Sequence, residues 1–328
     1  MQMNPEQVIV DVGNQDVKNE RNVEQEKDIV KQPEGPFEPD PNDIKKEFFE
    51  SFNGDKLDYL LQFHRAELIK KNKNLIADLL SYKKKAVKDI VNKDKSTNYV
   101  NKMVYKCSSV NYGRMYSKFG LQQMPKDIRA FISGSIYNEL DIKNCNPSIL
   151  NILAEKYKIE HEMLDFFCLN RDKLYTKYSE KLDIPEETVK EMFLSICFGI
   201  SIDNMECKLK KSVPEYFKDF KEEISKITKE LITKIEYKNL VKSVKVNVED
   251  WNNNTLLSYI LQHHERQIMN VIIEVMNEQK IHIGALIHDG ILVKTIKSVD
   301  IQQKIINKCQ KRIKKKLQMD ITLSFKRL

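Results

Sequence analysis

Apolar residues along this chain keep helical spacing over most of its length, and strand-like runs are confined to three places. From Ile44 to about Val91 the apolar positions are Phe48, Phe49 and Phe52, then Leu57, Leu60, Leu61 and Leu68, then Leu75, Leu79 and Leu80. Their three- and four-residue intervals predict two or three helices, with Asn42 or Asp43 as the first cap and Asn53-Gly54 as a break. Further helices are predicted over roughly 149–158, 161–180, 185–197 and 214–236, and Pro147 suits the first turn of one of them. Residues 254–279 read as one long amphipathic helix through Leu257, Ile260, Leu261, Ile268, Ile272 and Met276, and 299–317 as a basic one. Strands are predicted at 136–142, at two runs within 281–296 around His288-Asp289-Gly290, and at 319–325. Strands before and after a helical insertion indicate an α+β body whose sheet is assembled from distant segments.

Composition narrows this picture. At 328 residues the chain has room for roughly two domains of ~150 residues, and for a core that needs no disulfide or structural metal. No run of about 20 apolar residues occurs, so no membrane span is expected. Met1 to Val10 lacks the basic and apolar regions of a secretion signal. The six cysteines are scattered without a Cys-x-x-Cys pair, which argues against a zinc ribbon or a disulfide framework and fits an intracellular, reducing compartment.

The net charge of +7 is unevenly spread. Residues 1–43 hold eleven acids, four bases and five of the nine prolines, the composition of a disordered acidic tail. The remainder carries 51 bases and 37 acids, a net +14 that attracts polyanions, nucleic acid foremost, although a lysine-rich soluble surface has the same signature.

Three constellations carry chemistry, and each alone has a plain explanation. Asp141, followed by Asn144, Asn146 and Pro147, reads as a strand end and helix cap. His288-Asp289-Gly290 reads as a hairpin turn. Lys190, Leu194 and Phe198 share one helix face that ends at Gly199, an ordinary core helix with a glycine cap. Together they place two carboxylates at strand ends around a helical insertion that bears a lysine. Two such carboxylates can hold a pair of divalent ions ~4 Å apart for in-line phosphoryl transfer, and the lysine can meet the charge that builds on departing pyrophosphate.

In this order the motifs resemble the family A DNA polymerases over roughly residues 105–328. Gly113-Arg114, Leu121-Gln122-Gln123-Met124-Pro125 and Ile128-Arg129 match the run before the first catalytic aspartate. Residues 140-LDIKNCNPSIL-150 look like motif A, Lys190 with Phe198-Gly199 like motif B, and 287-IHDGI-291 like motif C. The variant most similar is the polymerase-like domain of transposons, virophages and large DNA viruses, often joined to a superfamily 3 helicase. The resemblance implies a right-handed polymerase fold, with an antiparallel palm sheet, helical fingers inserted in the palm and a small helical thumb. The implied segments are 1–43 tail, 44–104 thumb-like region, 105–159 and 251–328 palm, and 160–250 fingers.

The resemblance also assigns roles. Asp141, Asp289 and the carbonyl of Ile142 would bind two Mg²⁺ ions, for which Mn²⁺ can substitute. Lys190 would contact the nucleotide phosphates and act as general acid, and Phe198 would stack near the nascent base pair. Arg114, Gln122, Arg129, Gln262 and His288 would face the nucleic acid. The implied partners are DNA primer–template or single-stranded template, dNTPs with NTPs as a further substrate, and a replicative helicase. The implied setting is host cytoplasm or a viral replication site. The chain departs from the pattern in three places: Glu186 stands where an arginine is usual, Leu194 where an aromatic is usual, and Asn146 where a glutamate is usual. Triphosphate binding would then lean on another base such as Lys181 or Arg171. About 100 residues precede the motifs, too few for a 3′–5′ exonuclease domain.

The leading expectation is therefore a template-directed nucleotidyltransferase, a DNA polymerase acting in replication of a virus or mobile element. A primase or single-subunit RNA polymerase shares the His-Asp pair and stands as the alternative. A catalytically inactive nucleic-acid-binding replication module is the reading from outside the enzymes.

Overall fold

A computed structural model describes residues 35–38, 43–88, 98–199 and 201–328. The acidic tail expected over 1–43 therefore lies almost wholly outside the described residues. The remainder is a mixed α+β body with two antiparallel sheets.

The first sheet begins where a helix was expected. Residues Lys45–Asn53 form β1, paired along its whole length with β3 (Asn98–Cys107), while β2 (Val87–Lys88) and β4 (Met115–Ser117) also pair with β3. In β1 the buried residues are Phe48, Glu50 and Phe52, every second position. The helical reading failed because Glu50, a carboxylate, fills the middle of the inward face and hides the alternation. It is fully buried, and accepts from the hydroxyls of Tyr82 (2.8 Å) and Tyr105 (2.6 Å) and from the Leu121 amide (2.9 Å). Burial still raises its pKa above the usual carboxylate value. Asp43 caps no helix either; its carboxylate joins Lys46, Arg266 and Asn270. Helices α1 (Gly54–Phe63), α2 (Arg65–Lys71) and α3 (Leu75–Lys85) follow as expected.

The second sheet has the order β6-β7-β5-β8, made from β5 (Tyr137–Ile142), β6 (Ile283–Ile287), β7 (Gly290–Lys294) and β8 (Leu323–Arg327). Its two halves are more than a hundred residues apart in sequence, as the strand runs predicted. The last strand starts later than 319 because Met319 and Ile321 are buried in the core before pairing with β5 begins at Leu323. That shift sets Ser324 opposite Asp141.

Between β5 and β6 lie α5 (Cys145–Lys156), α6 (Glu162–Leu182), α7 (Glu186–Cys197), α8 (Ile202–Leu209), α9 (Glu215–Leu231), α10 (Lys238–Asn247) and α11 (Asn253–Glu278). The helix predicted to 236 ends at Leu231, and a short 3-10 turn leads into α10. Helix α11 starts in a capping box, Asn252 with Thr255, and its apolar side chains are buried on most sides. It runs against α5, α9, α10 and α12 (Val299–Leu317), and is the central beam of the body. A further helix, α4 (Lys126–Ser133), leads into the start of β5.

Candidate active site

Asp141 is the fifth residue of β5 and lies directly opposite Gly290 of β7. A Cβ at Gly290 would come within 2.9 Å of the Leu140 carbonyl and 3.1 Å of the Asp141 Cβ, so only glycine allows this approach. The Ile142 amide donates to the carbonyl of Asp289 at 3.0 Å, which ties the end of β5 to the β6–β7 turn. His288 holds that turn at φ 48°, in the left-handed region. Asp141, near the end of β5, and Asp289, in the β6–β7 turn, are thereby held side by side. Burial raises the Asp289 pKa; Arg114 pulls it back, and Asp141 adds to the rise.

Asp141 is itself buried and has two partners on β8. Its Oδ1 accepts from the Ser324 hydroxyl at 2.7 Å, and its Oδ2 takes the ammonium of Lys326. Neither partner was expected from the sequence, because only the register of β8 brings them there.

Arg114 approaches from the other side. Gly113, at φ 82°, presses the chain against α11, where an added Cβ would stand 2.9 Å from Oε1 of Gln262. The Arg114 guanidinium then grips Glu265 of α11 in a bidentate pair, both contacts at 2.6 Å. Glu265 is buried, and Cys145 at the start of α5 lies 3.8 Å from its Oε2. Burial pushes the Glu265 pKa up and Arg114 opposes this. Sequence reasoning missed Glu265 inside the apolar stripe of α11; its one signal is the Gln262/Glu265 spacing, which puts both on one helix face.

Other expected residues are placed as follows. Gln262 accepts weakly from the Arg114 amide (3.4 Å) and donates to Ser258. The His288 side chain is exposed, its ring 6.5 Å from that of Tyr116. Gln122 and Arg129 are buried: Gln122 bonds the backbone of Ser117 and Met115, and Arg129 donates to the carbonyls of Leu121 and Met124. These bonds to backbone carbonyls hold the loop before α4.

Lys190 and Phe198 lie on α7 and at its end. Lys190 bonds Glu187 at 2.9 Å and remains partly exposed. Phe198 is exposed at the rim of a cleft of about 790 Å³ between the end of α7 and the start of α11, which Leu194, Gly199, Asn254 and Tyr259 also line. Gly199, at φ 82°, is required there, since a Cβ would collide with Asn254. Glu186, the unexpected acid, accepts from Thr176 of α6 at 2.6 Å.

In the α6–α7 hairpin, Thr176 meets Glu186 and Phe167 stacks on Phe193. Residues 171–173 therefore run level with Lys190. A second pocket of about 400 Å³ is lined by Lys143, Asn144, Arg171 and Lys173, without Lys190. Lys143 is two residues beyond Asp141. Asp172, paired with Arg171, and Asp320, paired with Lys314, offset part of this charge. Lys181 does not line the pocket. Asn146, in the first turn of α5, has a buried side-chain oxygen without a hydrogen-bond partner.

No family model matches the chain. It is 31% identical over 192 residues, 56% of its length, to a protein of Sputnik virophage named putative helicase V13. The chain spans 24% of that relative's length. A solved structure, the POL domain of Pol1 from M. smegmatis in complex with DNA primer-template and dNTP, superposes over 80% of this chain and 55% of its own, with TM-score 0.44 and 12% identity. No helix among the described residues is long and apolar enough to cross a membrane.

Proposed function

We propose that this chain catalyses template-directed nucleotidyl transfer, as a DNA polymerase of family A type working in replication of a virus or mobile element. The observation that carries the reading is the junction of β5 and the β6–β7 turn, where Gly290 lets Asp289 and Asp141 share one sheet end. The residues fit Mg²⁺. Among the described residues no three His, Cys, Asp or Glu side chains form a metal cage, but Mg²⁺ is commonly held by one or two carboxylates together with substrate phosphates. The donors offered are hard oxygens, and a cation, Lys326, already balances one of them. Asp141, Asp289 and the Ile142 carbonyl would hold the pair of ions, which supply Lewis acidity at the attacking and leaving oxygens.

The chain's own residues do the rest. The primer 3′-hydroxyl gives up its proton to water and its oxygen attacks the α-phosphorus, the bond from that phosphorus to the α,β-bridging oxygen breaks, and pyrophosphate leaves with the bonding electrons. Lys190, at the protein surface and held only by an exposed glutamate, is free to turn to the phosphates and give pyrophosphate a proton. Lys143, Arg171 and Lys173 surround the pocket beside motif A and compensate for Glu186, which is occupied by Thr176. Arg114, locked by Glu265, fixes the positive side of the Asp289 environment. Phe198, at the rim of the α7–α11 cleft, is the stacking surface for the nascent pair.

The name of the virophage relative does not transfer to this chain as a motor. A helicase motor binds ATP through a loop ending in Gly-Lys, and no Gly-Lys pair occurs in the 328 residues. A helicase is read here as a partner.

The test is incubation with primer–template, Mg²⁺ and labelled dNTPs. Asp141→Asn or Asp289→Asn should lower incorporation on the order of 10³-fold or more while primer–template binding persists. Wild-type incorporation by either variant would overturn the assignment. Omitting the primer separates a polymerase from the primase alternative.

A further inference from the structure

The most exposed aromatic cluster among the described residues lies away from the carboxylates, on α1 and α4. Tyr59 (47% exposed), Phe63 (62%) and Phe131 (38%) sit side by side, with centroids 5.1 Å apart for Tyr59–Phe63 and 6.2 Å for Tyr59–Phe131. The His64 ring adjoins Tyr59 at 5.3 Å, and the ammonium of Lys56 stands 5.2 Å over the Phe131 ring. Helix α2 is tied to α4 by the Lys71–Asp127 ion pair at 3.0 Å, which brings its basic end to the same side. Residues 54–88 hold nine bases against four acids.

Leaving three rings in water is unfavourable unless something covers them. A protein partner would favour a patch whose centre is poor in lysine. Here a lysine lies over a ring and the surrounding helices carry excess positive charge. Rings with interleaved bases match single-stranded nucleic acid instead, whose bases stack on aromatic faces while phosphates meet lysines. Helix α4 leads into the start of β5, whereas Asp141 stands near that strand's other end. The cluster is thus separate from the candidate active site.

We propose that Phe63, Tyr59 and Phe131, with Lys56, form a stacking platform for a single strand outside the catalytic cleft. Neighbouring rings take successive bases, and the basic ends of α2 and α3 follow the backbone. The platform does not depend on the catalytic reading, since it requires only strand binding.

The experiment is fluorescence anisotropy of the full chain with a fluorescein-labelled oligothymidylate. Tyr59→Ala with Phe63→Ala should weaken binding roughly tenfold or more, and Tyr59→Trp should preserve it. Lys56→Gln should reduce the salt slope by about 1. Thermal unfolding of these variants should match wild type, because the side chains are exposed. A second measurement is photocross-linking to an oligonucleotide containing 5-iodouracil, with adducts expected on the peptides holding Tyr59, Phe63 or Phe131. Unchanged affinity of the double alanine variant, no binding by the wild type, or adducts confined to the cleft around Phe198 would each overturn the platform. Loss of nucleotide incorporation in Asp289→Asn with platform binding intact would leave both proposals standing independently.

Discussion

Lys326 of β8 places its ammonium on the carboxylate of Asp141, the buried acid at the end of the neighbouring strand. Its side chain is more than half exposed, so it can leave at little cost. With Lys326 exposed and Asp141 buried, water screens the pair from one side and it is worth on the order of 1 kcal/mol. Lys326 is thus a cation held where a divalent ion would bind, and it competes with that ion. Lys326→Met should lower the Mg²⁺ concentration for half-maximal incorporation by up to about fivefold. Titrating Mg²⁺ for wild type and variant checks this, and an increased requirement would show that the lysine supports catalysis.

Arg171 and Lys143 allow a sharper test, because on the proposed function the pocket they line would take the triphosphate and not the strand. Charge-assisted bonds to a phosphate are worth roughly 1.5–3 kcal/mol each. Arg171→Ala and Lys143→Ala should each raise KM for dNTP by about tenfold or more, while the Kd for primer–template stays within experimental error. Lys181→Ala should change neither. Equal losses in both constants would mean that the pocket tracks the nucleic acid and not the triphosphate.

Stability has a pH signature that lies outside the site. His263 of α11 is buried between Phe37 and Tyr112, and neither ring nitrogen has a hydrogen-bond partner. Burial, and then Arg266, push its pKa down to about 3. Adjacent His264, which also contacts Tyr237, shifts the same way. Since the unfolded chain binds this proton near pH ~6.5 and the folded chain does not, the stabilisation is complete above that pH and is lost as pH falls toward 3. At pH ~5 the loss from one such histidine is about 2 kcal/mol. Urea denaturation at neutral pH and near pH ~5 should show a fall for wild type that His263→Phe reduces by that amount. The same fall in both proteins would mean that His263 is protonated in the fold.

What the sequence disclosed, and what it hid, follows from where polar groups are buried. The strands flanking Asp289 were legible from runs that stay apolar or glycine up to the His288-Asp289 turn, and β5 from the apolar Ile136, Tyr137, Leu140 and Ile142 on either side of Asp141. Strand β1 was not, since Glu50 occupies an inward position and its acceptors are satisfied by Tyr82, Tyr105 and Leu121, far away in sequence. The same limit applies to the site. Motif residues are visible by order and spacing, but Glu265, Ser324, Lys326 and Lys143 gain their meaning from strand register and helix packing. Gln122 and Arg129, which match a motif in the sequence, also donate to carbonyls inside the fold, a use that only the packing reveals.

Sugar choice is where Asn146 should matter. In the polymerases that this chain resembles, a glutamate at that place and an aromatic in motif B close over the 2′ carbon, and a ribose hydroxyl meets bulk it cannot displace. Asn146 is one methylene shorter and uncharged, and its side-chain oxygen is buried without a partner. That oxygen can accept from a 2′-hydroxyl, while Phe198 offers no hydroxyl for a matching bond. A strict ribose reader needs a buried polar group that is left unpaired by every deoxy substrate and satisfied by every ribose one. On the proposed function Asn146 would supply half of that arrangement, so deoxynucleotide extension with appreciable ribonucleotide use is expected. Asn146→Glu should sharpen selection for deoxynucleotides by restoring bulk. Side-by-side incorporation of the two nucleotide classes decides the matter, and a wild-type preference above ~10⁴-fold in either direction would rule out a loose gate.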